Sequence, residues 1–409
     1  MTYQSLKEDI IKQGQRGAHT PLRKWALQKL SETAVPNERA EDWRFTDLTE
    51  VFERPLDFSN MTPATLKPEL LNEYNRFKEY RLIFLNGHLM TNHTLLPEGT
   101  IVKRKDEDGI ESSDFFDLTN ALFAEESIEV IIPPKSSWDR ALGIIHVATE
   151  EGHDTQHSPR LRIVVGKQSE VTINEFFVTQ GDFYYFSNPM TQIVIEDGAR
   201  VEHCLMQDNG KRALHIGKNI FTLARDSFLN TFSLNCGSQL SRQNMLVDLN
   251  NEGATAKMNG VYALTDKQVA DQFLTVNHHS GQTNSEQLYK GILAEKSHGI
   301  FTGKIFIHKD AQNSNAAQLN NNLLLGEKAK VNTRPQLEIY ADDVKCTHGA
   351  TIGQLDAEQL FYLESRAIPK DRANKMILAA FAHQVLMNVK NESLRNFFLS
   401  KVEAQFQRN

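Results

Sequence analysis

The residues best equipped for chemistry lie in DDVKCTHGATIG, from Asp342 to Gly353. Cys346 and His348 are two positions apart. On a β-strand that spacing sets both side chains on one face, with Cα atoms roughly 6.5 to 7 Å apart. A thiolate and an imidazole so placed could ligate a metal ion together, or hold a nascent iron-sulfur cluster. The donor count limits the idea. Tetrahedral zinc or a cubane cluster takes four ligands and this stretch offers two, so a working site would draw the others from a second chain or a small thiol. The plainer alternative for the same spacing is a buried cysteine beside a surface histidine.

The other candidates carry less. His278 and His279 are adjacent, and neighbouring side chains on a strand point to opposite faces, which predicts one exposed and one hydrogen-bonded imidazole and no joint metal site. Cys204 and Cys236 read as small core residues. No GxxxxGK[ST] phosphate loop, no GxGxxG after a strand, no HExxH and no GxSxG occurs in the sequence. Asp342 and Asp343 form a carboxylate pair of the kind some sugar-cleaving β-helices use, but adjacent side chains on a strand diverge. Basic runs interleaved with aromatics are missing, which argues against nucleic acid as a partner.

The elements that must position Cys346 and His348 begin with a helical unit. Leu6, Ile10, Ile11, Leu22, Trp25, Ala26 and Leu30 recur at helical intervals, interrupted near Gly14, Gly17 and Pro21, which predicts two helices. EDWRFTDL, Glu41 to Leu48, follows, and then a linker marked by Pro55, Pro63 and Pro68 closes a unit of residues 1–75. Residues 76–353 are a succession of short β-type runs separated by Gly, Asn and Asp turns, without a long amphipathic helix after about residue 160. That excludes a doubly wound fold. Turn signals followed by a small or β-branched inward residue recur near Val171, Val201, Phe228 and Ala256, at intervals of 30, 27 and 28 residues. Such a period suits the coils of a parallel β-helix, although a β-sandwich shares many of the same strands and periodicity leaves both open. The run Asn320, Asn321, Asn322 suits left-handed turns and ladders between coils. In residues 354–409, Asp356 caps a helix carrying Leu360, Phe361 and Leu363. Pro369 then opens a second helix with Met376, Ile377, Ala380, Phe381, Val385 and Leu386 as its stripe, so that two short helices make a docking surface.

The chain of 409 residues carries 45 Lys and Arg against 52 Asp and Glu, a net charge of −7, and is 40% hydrophobic. Those values fit a folded chain of two or three domains and exclude a disordered polymer, a collagen or a general polyanion binder. No run approaches the ~18 apolar residues of a membrane helix, and the N-terminus lacks the basic start and apolar core of a signal peptide. The expectation is a cytoplasmic protein with no membrane partner. Its three cysteines, an odd number without a CxxC pair, suggest neither a disulfide framework nor a zinc module.

The stretch from Gly299 to Pro369, GIFTGKIFIHKDAQNSNAAQLNNNLLLGEKAKVNTRPQLEIYADDVKCTHGATIGQLDAEQLFYLESRAIP, together with EDWRFTDL, resembles the SufB/SufD family of iron-sulfur cluster assembly scaffolds. KCTHGAT places it nearer the SufD side, since SufB chains are longer, richer in cysteine and carry a His-Glu-Ala type segment there. The resemblance implies a mainly β fold, a right-handed parallel β-helix core flanked by N-terminal and C-terminal helical domains. It implies pairing with SufB through the β-helices and docking of SufC, an ABC-type ATPase, on the C-terminal helices. The missing phosphate loop fits a non-catalytic scaffold whose partner binds ATP. In the family the cluster forms at the B/D interface with a His from D and a Cys from B. The matching position here is His348, with Cys346 beside it as a second candidate ligand to a transient cluster shared with SufB. SufC docking carries over to Leu360, Phe361, Tyr362, Leu363, Arg366 and Ile368. The alternative is a homodimeric iron or cluster carrier acting outside the complex.

Overall fold

In the computed structural model, residues 3–17, 19–49, 56–57, 65–75, 77, 80–105 and 114–407 are described. From Tyr80 to Gly353 the chain winds as a parallel β-solenoid in which each coil adds one strand to each of two sheets. One sheet runs from Tyr80–Leu85 through Leu142–Thr149, Glu170–Gln180, Arg200–Asp208, Phe228–Asn235, Thr255–Leu264, Asn284–Leu293 and Ser314–Leu324 to Val344–Gly353. The other runs from Ser127–Ile132 through Arg160–Val165, Met190–Ile195, Ala213–Leu223, Leu240–Leu249, Val269–His278 and His298–Ile307 to Lys330–Ile339. Antiparallel pairing occurs at the starting edges, where His88–Leu89 and Ile101–Arg104 are added.

Strand register explains the sequence period. Val171, Val201, Leu229, Ala256, Ser285, Ala316 and Cys346 stack as one inward column, at intervals of 30, 28, 27, 29, 31 and 30 residues. Across the bore Ile163, Ile193, Phe221, Val247, Val276, Ile305 and Leu337 form its counterpart. Most of these residues share one buried core, and each large aliphatic side chain removed from water contributes about 1.5 to 3 kcal/mol. The parallel pairing decides for the β-helix, because a sandwich is built of antiparallel sheets. The left-handed corners fall at Gln168, Asp226, Asp266, Glu295 and Asn313. The expectation of such turns at Asn320 to Asn322 is corrected, since those residues lie inside the strand Ser314–Leu324. There Asn320 Nδ2 donates to Tyr262 Oη at 3.1 Å, and Asn322 Nδ2 donates to Asn320 Oδ1 at 2.7 Å.

Helices cover the outer faces. Tyr3–Gly17 and Pro21–Glu32, the latter capped by Thr20, pack with Phe115–Phe123 against Leu214, Ile216 and Leu240 of the second sheet. Phe115–Phe123, capped by Asp114, is a short helix among the early strands, ahead of the stretch after about residue 160 that the sequence marks as free of long helices. At the C-terminus three helices occur where two were expected: Ala357–Ser365, Lys370–Leu386 and Glu392–Gln405. The third is not marked off in the sequence, since no Gly or Pro separates Leu386 from its cap, Asn391. Its Leu394, Phe397, Phe398 and Val402 are buried, and with it in place the buried stripe of the middle helix becomes Ala373, Leu378, Ala382, Val385 and Leu386, leaving Met376 and Ala380 exposed. These helices sit on Phe232, Val261 and Ile292 of the first sheet. No helix among the described residues is long and apolar enough to cross a membrane.

Candidate functional site at the open end of the solenoid

Among the described residues, no further strand follows the last coil of the solenoid. Val344–Gly353 pairs on one side with Ser314–Leu324, and Lys330–Ile339 pairs with His298–Ile307. Among the described residues no strand occupies the outer edge of either. Every residue of Val344–Gly353 is therefore exposed or half-buried, although it carries the same inward alternation as the coils below. Local polar contacts fix the strand. Asn313 N donates to Asp343 O at 2.6 Å, Asp343 N to Gln312 Oε1 at 2.9 Å, and Thr351 Oγ1 to Asn321 Oδ1 at 2.9 Å.

Cys346 ends the column that begins at Val171, and its half-buried side chain packs against the interior core. Burial pushes its thiol up from the ordinary value, so at neutral pH it is a protonated sulfur. His348 stands on the same face, beyond Gln318 of the preceding coil, and is exposed. Together they put one soft and one borderline donor at the mouth of the bore. No group of three His, Cys, Asp or Glu able to hold a metal occurs among the described residues. Exposed apolar side chains lie on the last two coils: Tyr340 is 63% exposed and Ile352 53%, with Ile339 and Leu319 also open to solvent. Unpaired strand edges beside exposed apolar residues are a surface that another strand can extend.

EDWRFTDL reaches this end from the outer face. Glu41–Trp43 is a single helical turn; Arg334 of the last coil donates to Glu41 Oε1 at 2.7 Å, Gln336 to the same oxygen at 3.3 Å, and Lys304 to Asp42 Oδ1 at 2.5 Å. Hydrogen bonds from Gln336 and Arg334 hold the Glu41 carboxyl below the usual carboxylate range.

The residues expected to meet an ATPase lie on or next to Ala357–Ser365, whose cap Asp356 accepts from Glu358 N at 2.8 Å. That helix buries none of its residues. Phe361 is 72% and Tyr362 57% exposed, Arg366 is exposed and donates to Tyr362 Oη at 3.3 Å, and Leu360, Leu363 and Ile368 are half-buried. The structure thus places these six away from Cys346 and His348, on a separate surface element.

Among the weaker candidates, His278 is buried between Thr283 Oγ1 at 2.8 Å and Ser285 Oγ at 2.9 Å. His279 is partly exposed, 3.2 Å from Asp248 Oδ1 and stacked on His308. Cys204 and Cys236 are buried. A feature missed from sequence is Glu175, buried inside the early coils with His146 and His203 around it. The available signal was a carboxylate at an inward position of the alternating run VTINEFFV.

Residues 146–381 match the family described as SUF system FeS cluster assembly, SufBD core domain. The chain is similar to the iron-sulfur cluster assembly protein SufD of Escherichia coli (strain K12), with 30% identity over 395 residues that span 94% of this chain and 92% of that one. An iron-sulfur cluster assembly SufBD family protein of Synechocystis is 29% identical over 96% of this chain and 92% of its own length. A chloroplastic protein of Arabidopsis thaliana is 25% identical over 92% and 83%.

Proposed function

Because this chain belongs to the SufBD family of the SUF iron-sulfur cluster assembly system, on its SufD side, we propose that it is a non-catalytic scaffold subunit that pairs with SufB through the open end of the solenoid. The observation that carries this reading is the uncapped terminal coil, which presents two free strand edges, an apolar rim and an incomplete donor pair at one place. A SufB chain laid on those edges continues the sheets and supplies the ligands that Cys346 and His348 lack, so that the nascent cluster, as cargo, forms between the two subunits. SufC docks on Ala357–Ser365 through Phe361 and Tyr362, with Leu360, Leu363, Arg366 and Ile368 around them; exposed aromatics with an adjacent Arg are the usual anchors of such a contact. ATP-driven movement of SufC is passed on as a rigid displacement, because Lys290, Lys390 and Lys401 tie the C-terminal helices to the first sheet. The two positions of that arm are the two-state element such coupling requires.

The test is co-expression of a tagged chain with SufB and SufC, native mass measurement of the complex and quantitation of the cluster assembled on it. His348→Ala is expected to lower cluster yield several-fold while the complex is recovered intact. Unchanged yield overturns the assignment of His348. Recovery of a lone homodimer under gentle, anaerobic conditions overturns the pairing and favours the carrier reading.

A further inference from the structure

The interior of the solenoid is interrupted in its early coils by an ionic cluster that the proposed function does not use. Glu175 is fully buried and faces inward. Its Oε1 accepts from Thr191 Oγ1 at 2.7 Å and from His146 Nε2 at 3.0 Å; its Oε2 accepts from Asn219 Nδ2 at 3.1 Å and stands 3.7 Å from His203 Nε2. Further buried polar side chains face the bore on later coils. Gln243 Nε2 donates to Asn219 Oδ1 at 2.6 Å, and Gln272 is the register partner of Gln243 on the next coil. In the other sheet, Gln287 Oε1 accepts from Gln318 Nε2 at 2.7 Å, and Gln318 is the register partner of His348.

Along this seam His146 Nδ1, Gln272 Nε2, Gln287 Nε2 and Gln318 Oε1 have no hydrogen-bond partner among the described residues. All four side chains are more than nine-tenths buried. Left bare, several such groups in one bore would rival the net stability of a domain, whereas an ordered water with two to four polar neighbours satisfies them at small cost. Glycines let the seam side chains come close to the backbone, since an added Cβ at Gly303 would collide with the Gln318 amide and one at Gly217 with His215.

We propose that a file of bound water runs through the bore from the Glu175 cluster to the open coil beside His348, so that the buried carboxylate and its imidazoles exchange protons with solvent through that opening. Phe221, Tyr289 and Phe301 fill much of the remaining bore, which limits the path to water and protons. The inference rests on the polar seam alone and concerns the chain with its last coil uncovered.

The experiment follows exchange of the His146 and His203 ring protons into D2O by NMR on the full chain with ¹⁵N-labelled histidine. Gln287→Met with Gln318→Met replaces the seam by apolar groups of similar length. Exchange at least tenfold slower in this variant, with an unchanged β-type circular dichroism spectrum, supports the water file. Equal rates overturn it, as do wild-type rings that exchange only by global unfolding. If the double variant fails to fold, Gln272→Met makes the same comparison. Oxygen-17 relaxation dispersion on the wild type reads the waters directly, and a bore without long-lived waters also overturns the proposal.

Discussion

Arg242 is buried between the rings of Trp43 and Phe273, 3.9 and 4.5 Å from their centroids. Its Nη1 donates to Asp271 Oδ2 and to Asp42 O, and Thr46 Oγ1 donates to the same carboxylate oxygen at 2.5 Å. Asp42, Trp43 and Thr46 all come from EDWRFTDL, so one buried ion pair anchors that motif to the solenoid. Removing one partner of a buried pair leaves the other charge without compensation, which costs about 3 to 5 kcal/mol, whereas replacing both by apolar groups is often neutral. Arg242→Ala is accordingly expected to lose that amount in urea denaturation, and Arg242→Met with Asp271→Leu to recover most of it. A loss under ~1 kcal/mol in the single variant would contradict the pairing. Nothing in the sequence marks Arg242 and Asp271 as partners except a separation of one coil length, which has meaning only after the register is known. Cys346 and His348 differ in this respect, because two-residue spacing on a strand is sufficient to place them on one face.

At the level of elements, the C-terminal helices depend on a lysine that approaches them from the sheet. Lys290 is almost wholly buried, with Nζ donating to Phe381 O at 3.0 Å and Gln384 Oε1 at 2.5 Å and lying 4.1 Å from the centre of the Phe381 ring; burial lowers the pKa of its ammonium. Lys290→Met keeps the stem and removes the donors, and a hydrogen bond to a charged group contributes about 1.5 to 3 kcal/mol. The expected result is faster amide exchange in Lys370–Leu386 with little change in the coils from Glu170 to Leu264. A uniform change across both would show that the lysine is not a local latch. This contact also shows where sequence reading stops. The coil period was legible because inward positions repeat small and β-branched residues, and the cap at Asp356 or the turn at Pro21 marks helix ends through local chemistry. The face that a helix buries is decided by what it docks on. The middle C-terminal helix has apolar residues on two flanks, and only the third helix and the sheet select Leu378, Ala382 and Val385 over Met376 and Ala380. The openness of the last coil was equally illegible, since Val344–Gly353 has the composition of an inner strand and lacks only a neighbour.

The whole molecule buries imidazoles in its neutral state, and this sets how it responds to acid. Burial pushes His157 down to about 3, and His215 and His278 down to about 4. In the unfolded chain each returns to an ordinary value near ~6.5. Between about pH 6.5 and 4 the unfolded state therefore binds protons that the folded state refuses, and stability falls as pH falls. At about 1.4 kcal/mol per pH unit for each group, the three together give a slope of about 4 kcal/mol per unit near pH 5. Glu175 works in the same direction at lower pH. Burial pushes its carboxyl up, but the hydrogen bond from His146 and the neighbouring His203 ring outweigh this and hold it well below the usual range, so its contribution is present above an unfolded value of ~4.3 and lost as pH falls below it. Asp114, whose carboxyl burial pushes up, acts with the opposite sign, so the informative quantity is a difference between variants. Thermal unfolding from pH 7 to 4.5 should give a slope about one-third shallower for His215→Gln than for the wild type, because that variant removes one of three protons and leaves Asp114 in both proteins. Parallel slopes would mean that His215 takes up its proton within the folded coils, and that the early coils are open enough to solvate a charge.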